Sequence, residues 1–127
     1  MLFVGLGGIF GAISRFLLSK WISGKSSASF PLGTWIINIS GSFVLGLLAV
    51  LHIGNVIPDW SWLIFGTGFL GAYTTFSTFG YESIQMIQKG DMKRAVIYVS
   101  SSVILGILAA SIGGLFGKYY LVVKNLA

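Results

Sequence analysis

The chain has 127 residues; 55% are hydrophobic, only 9% are charged, and the mean hydropathy is +0.90. A soluble domain carries roughly 25% charged residues, so this chain cannot cover a water-facing surface and is expected to be an integral membrane protein. One small domain, 1–127, is the limit, and it leaves little room to enclose a pore alone, which calls for an oligomer.

There is no cysteine, which excludes disulfides and thiolate metal sites. A net charge of +5 would suggest nucleic acid in a soluble protein. Here the few basic residues flank apolar runs, so membrane topology explains them and no nucleic-acid partner is expected. The apolar N-terminus has no basic lead and no small-residue cleavage site, and it reads as a retained membrane helix rather than a signal peptide.

Helix 1 is expected over about 2–22. Gly7 and Gly11 lie four apart with Gly8 nearby, a spacing that lets helix backbones approach closely. Arg15 falls inside this span. It reads either as an arginine that snorkels to the headgroups or as a fixed positive charge at a pore mouth. Residues 24–29 form a short polar loop, and Pro31 suits a helix start.

Helix 2 is expected over about 31–53, within an uncharged stretch from 26 to 58. Thr34, Asn38 and Gly41 share one face. Asn38 is either an interhelical hydrogen bond that glues the bundle, on the order of 1 kcal/mol, or an amide donor facing a polar path. His52, the only histidine, sits at the helix end and reads as interfacial. Pro58 breaks the following turn, and Trp60 and Trp62 suit an aromatic belt.

Helix 3 is expected over about 61–88. At 1.5 Å per residue it is about 42 Å long, more than the roughly 30 Å hydrocarbon core. Gly66, Gly68 and Gly71 loosen its backbone, and Thr74, Thr75, Ser77 and Thr78 crowd hydroxyls behind them. Broken helix in lipid is tolerated only where it is buried in protein or lines a cavity. The spacing therefore predicts an interrupted helix, with its break near 71–75, that builds an ion site. Gly66, Gly68 and Gly71 also match G-x-G-x-x-G, but that fingerprint needs a preceding strand and a βαβ unit, so it is rejected.

Phe76 and Phe79 share a face if helical. They are either ordinary lipid- or core-facing aromatics or rings whose positive edges support a small anion. Glu82 is either interfacial or a polar-path residue. Helix 4 is expected over about 92–120, with Tyr98 and Ser102 four apart and Gly113 and Gly117 as a second close-packing face. One histidine and three acids offer no nucleophile–base set or paired carboxylates, so an enzyme is not expected. Lys20, Lys25, Lys89, Lys93 and Arg94 lie in the loops opposite the termini, against Lys118 and Lys124 on the terminal side. That bias would place both termini outside.

Three segments carry a resemblance. Gly71-x-x-Thr74-Thr75-Phe76-Ser77-Thr78-Phe79, Gly33-Thr34-x-x-x-Asn38-x-x-Gly41 and Gly7-Gly8-x-x-Gly11-x-x-x-Arg15 resemble the Fluc/CrcB family of fluoride channels, over essentially all four spans. The resemblance implies an all-α membrane protein with four transmembrane helices, the third broken. It further implies an antiparallel, dual-topology homodimer with two fluoride pores. Phe76 and Phe79 match the family's aromatic pair, and Asn38 its pore asparagine. Ser77 and Thr78 stand within the same motif, on the fluoride pathway. Gly71 and Thr74 match positions whose backbone carbonyls, from both subunits, hold a structural Na⁺. Thr34, Glu82, Tyr98 and Ser102 match a polar track, which Gly106 continues without a hydroxyl. Arg15 is placed along the same pathway.

The implied function is passive export of fluoride across the cell inner membrane or plasma membrane, by a multi-pass protein, after the ion has entered as the neutral acid. Two other classes stand beside it. A proton-coupled small-molecule exporter of the four-helix antiparallel-dimer type needs a titratable acid deep in the membrane, and Glu82, the one candidate, lies near a span end. A purely structural bundle gives no reason for hydroxyls clustered beside Phe76 and Phe79.

Overall fold

The computed structural model describes residues 1–25 and 30–126. Residues 26–29 of the expected polar loop lie outside the described residues. Every regular element among the described residues is helical: α1 (Leu2–Lys25), α2 (Leu32–Ile53), the single turn α3 (Asp59–Ser61), a π-helical segment (Trp62–Leu70), the single turn α4 (Gly71–Tyr73), α5 (Ser77–Gln88) and α6 (Met92–Leu126). Three of them, α1, α2 and α6, are long and apolar enough to cross a membrane. Helix α6 runs on to Leu126, beyond the expected end at about 120.

The turns follow local chemistry. Pro31 immediately precedes α2 and its carbonyl accepts from Trp35 N–H at 3.2 Å, a position where proline's missing donor costs nothing. After α2, Asn55 takes a positive φ of 54°, which asparagine tolerates better than most residues. Gly90, with φ of 79°, turns the chain into α6. There Asp91 accepts from Arg94 N–H at 3.3 Å and pairs with the Arg94 guanidinium at 3.0 Å, as suits an acid at a helix N-terminus.

The third element is bent. Its proximal half (α3, the π-helical segment and α4) joins its distal half, α5, through an unwound stretch at 74–76. It runs antiparallel to α2 along that helix's whole length. His52 stacks on Trp62 with ring centroids 5.1 Å apart. Further along, Ser40 and Tyr73 share a 3.0 Å hydrogen bond, Asn38 meets Thr75, and Thr34 meets Glu82. Residue numbers fall on α2 as they rise on the bent element.

Small residues set the packing. A Cβ on Gly7 would collide with the carbonyl of Ile64, and one on Gly11 with the carbonyl of Phe69. So the glycine face of α1 lies directly on the backbone of the π-helical segment. The glycines of α6 do the same for α2: a Cβ on Gly113 would strike the Phe43 carbonyl, and one on Gly117 would crowd Val50 and Leu47. The enclosed core is small, with Met86, Ala95 and Tyr98 buried under Phe30, Trp35 and Phe79. Most large apolar side chains, including Phe10, Phe16, Ile107 and Leu115, face outward, which suits lipid or a partner chain and not water.

Candidate functional site

The break is set by Asn38. Its Nδ2 donates to the Thr75 carbonyl at 2.9 Å, and its Oδ1 accepts from the Thr75 N–H at 2.8 Å. One amide side chain thus replaces both backbone partners that Thr75 forfeits by leaving the helix, and no buried side-chain polar atom among the described residues is left unpaired. The break lies at 74–76, overlapping the C-terminal end of the expected stretch, 71–75. Gly71 keeps helical dihedrals, φ −62° and ψ −31°, whereas Thr74 is extended, φ −76° and ψ 157°. Glycine loosens a helix, but a long-range partner decides where the helix opens.

Thr75 then restarts the helix. Its Oγ1 accepts from Thr78 N–H at 3.3 Å and donates to Thr78 Oγ1 at 3.0 Å, the hydrogen bonding of an N-cap threonine. Two carbonyls lose their usual i+4 donors in consequence. The Thr75 N–H that would serve Gly71 goes to Asn38, and the Thr78 N–H that would serve Thr74 goes to Thr75 Oγ1. A Cβ built on Gly71 meets nothing within 4 Å, so this backbone is open on the outer side. No cluster of three or more His, Cys, Asp or Glu among the described residues could hold a metal. The donor set present is therefore neutral oxygen, which suits a hard cation.

Past the break, the first turn of α5 carries Phe76, Ser77, Thr78 and Phe79. Phe76 is 85% exposed, and Ser77 and Thr78 are exposed beside it. Phe79 is half-buried; its ring lies 6.1 Å from that of Phe76 and 5.2 Å from that of Tyr98. One turn further, Glu82 is held on both oxygens: Oε1 accepts from Thr34 Oγ1 at 3.0 Å and Oε2 from the Tyr98 hydroxyl at 2.8 Å. Tyr98 is wholly buried. Thr34, Phe79, Glu82 and Tyr98, from three elements, thus meet in one polar and aromatic cluster behind the exposed Phe76.

Ser102 continues the line along α6, though its hydroxyl donates to the Tyr98 carbonyl at 2.6 Å. Arg15 is half-buried on α1 and joins neither this cluster's hydrogen bonds nor the ion pairs of the described residues. A cavity of about 410 Å³ leads to the cluster from one end of the bundle, lined by Ser19, Thr34, Glu82, Gln85, Lys89 and Arg94 among others. Sequence reasoning did not single out Thr75 as the new helix's cap, nor Phe30 and Trp35 as supports of the Tyr98 cluster. The hydroxyl run beside the break was a signal for Thr75. Phe30 and Trp35 carry no local signal, because their partners lie far along the chain.

Three long apolar helices, a bent fourth element and an internal polar cluster define a multi-pass integral membrane protein. The chain matches, over residues 2–114, the family model described as "CrcB-like protein, Camphor Resistance (CrcB)". It is 50% identical over 114 residues to "Fluoride-specific ion channel FluC 2" of Moorella thermoacetica, covering 90% of this chain and 93% of that one. It is 47% identical to "Fluoride-specific ion channel FluC" of Acidobacterium capsulatum, covering 92% and 94%. It is 46% identical to "Fluoride-specific ion channel FluC 2" of Bacillus cereus (strain ATCC 10987 / NRS 248), covering 88% and 92%. The chain therefore belongs to the CrcB family, and its place is the plasma membrane. Its relatives are named as ion channels and not as enzymes.

Proposed function

We propose that the protein is a fluoride-specific channel that works as an antiparallel, dual-topology homodimer with two pores and exports cytoplasmic fluoride passively. The relatives' names supply the anion. The observation that carries the mechanism is the Asn38-held break, which sets Phe76 and Phe79 on the turn just past it. The bent element lies along all of α2, so we take it as the fourth membrane crossing. Broken helix at that depth must line a cavity or be buried in protein. The exposed Gly71 and Phe76, on either side of the break, supply that surface when a second copy covers them.

Fluoride is small and strongly hydrated, so entering a narrow path requires close donors on nearly all sides. The positive edges of Phe76 and Phe79, the hydroxyls of Ser77, Thr78, Thr34, Tyr98 and Ser102, and the second N–H of the Asn38 amide are the groups available. None is a fixed cation, so the ion is not trapped, which conduction also demands. Of the two readings of Arg15 we favour the pore mouth, where a positive charge would raise local anion concentration. Glu82, with both oxygens taken by hydroxyls, holds Thr34 and Tyr98 in place. That anchored carboxylate supports a channel wall over a proton-coupled carrier, whose acid must pick up and release a proton as it works.

Gly71 and Thr74, each deprived of its i+4 donor, supply carbonyl oxygens for a structural Na⁺ shared with the partner subunit. Such an ion would tie two broken helices together without being transported. The test is reconstitution into liposomes. Vesicles loaded with fluoride should discharge it on addition of an ionophore, and vesicles loaded with chloride should not. Equal chloride flux, or no fluoride flux, would refute the proposal.

A further inference from the structure

The wholly buried Tyr98 has an aromatic neighbour that the pathway above does not use. Phe30, from the segment before α2, packs edge-to-face on Tyr98, with ring centroids 5.3 Å apart and planes at 88°. It also packs on Trp35 at 6.2 Å and 76°. Trp35 is in turn fixed to α6, because its indole N–H donates to Ser101 Oγ at 3.1 Å. The Tyr98 ring lies 5.2 Å from Phe79, and its hydroxyl binds Glu82. The contacts therefore run without a gap from Ser101 through Trp35, Phe30 and Tyr98 to Phe79 and Glu82. Phe30 also lines the cavity that leads to Glu82.

We propose that Phe30 is a positioning residue for conduction: its ring fixes the orientation of Tyr98, and through Tyr98 the tilt of Phe79 and the grip on Glu82. The reason is geometric. A tyrosine ring has one hydrogen bond at its tip and is otherwise oriented only by packing. An edge-to-face contact has a definite angular preference, which an aliphatic side chain of similar bulk lacks. Without it Tyr98 tilts, its hydroxyl leaves the Glu82 carboxylate, and the ring no longer backs Phe79. The ion need never touch Phe30 for the path to depend on it.

This inference rests on the fluoride-channel reading, and the test keeps the two apart. Wild type, F30L, F30Y, Y98F and the F30L/Y98F double variant are reconstituted at equal dimer content, and fluoride efflux is measured for each. Aromatic pair energies translate to about a three- to tenfold loss of rate in F30L, with F30Y within about twofold of wild type. In the Y98F background the F30L change should cost less than it does in wild type, because the grip on Glu82 is already lost and only the backing of Phe79 remains for it to disturb. A wild type that passes no fluoride overturns the channel reading itself. A fluoride-conducting wild type with F30L at the same rate, or with losses in F30L and Y98F that simply multiply, overturns the role of Phe30. A general packing defect would lower the yield of F30L dimer without this non-additivity, and that pattern also counts against it.

Discussion

At the scale of single residues, Asn38 performs the part of a missing peptide group. In an unbroken helix Thr75 would give its N–H and receive at its carbonyl within the same segment; here both bonds go to one side chain on α2. The sequence left two readings open for Asn38, glue or a donor facing a path. The structure shows the glue, and the amide's second N–H is what remains for the path. Replacing Asn38 by alanine deletes two hydrogen bonds and strands two backbone groups, at roughly 1–3 kcal/mol for each stranded group. Thermal unfolding of N38A in detergent should therefore show a clearly lowered midpoint, with reduced fluoride flux. An unchanged midpoint would mean that the break does not depend on this amide.

At the scale of elements, the apolar runs were legible because lipid demands them, and the glycine faces because small residues at four-residue spacing have one common use. Gly7 and Gly11 indeed lie on bare backbone, as does Gly113, while Gly117 lies against the Val50 side chain and the Leu47 carbonyl. What the sequence did not disclose is the π-helical stretch at Trp62–Leu70 and the residue that fixes the break at 74–76, the end of the expected 71–75. Both depend on partners far along the chain: α1 against the wide π turns, and Asn38 against Thr75. The glycines Gly66, Gly68 and Gly71 pointed to the right element, yet all three stay helical.

The glycine contacts give a paired prediction. G11L forces a side chain into the Phe69 carbonyl, an overpacking that typically costs about 1–3 kcal/mol or more. G5L enters open space, because nothing lies within 4 Å of a Cβ there. Size-exclusion chromatography after extraction should give a normal peak for G5L and little or none for G11L. Equal peaks would mean that α1 does not lie on the π-helical segment as described.

At the scale of the molecule, one chain leaves much of the surface around its break uncovered. Phe76 is 85% exposed, the outer side of Gly71 is open, and the enclosed core is small. The proposed second copy covering that face, with the proposed Na⁺ between the two breaks, would account for the exposed Phe76 and the open backbone at Gly71. Activity should then require Na⁺: flux should fall in Na⁺-free buffer after prolonged exchange and should not be restored by K⁺. Full activity after exhaustive exchange into K⁺ would remove the proposed cation site. The basic residues also sort by end. Lys89 and Arg94 line a cavity with Ser19 and Ser23 from the far end of α1, while Lys118 and Lys124 lie towards the opposite end of α6. That sorting was readable from loop positions alone. The cavity was not, because it needs four segments brought together.

The account turns on whether the two rings beyond the break stand in the ion's way. The most direct measurement is fluoride efflux from liposomes for wild type, F76I and F79I at matched dimer content. Isoleucine keeps much of the bulk and removes the ring edge, so the wild type should release fluoride rapidly while each variant is reduced by an order of magnitude or more, roughly the loss of one well-placed electrostatic contact. Wild-type efflux from both variants would contradict it.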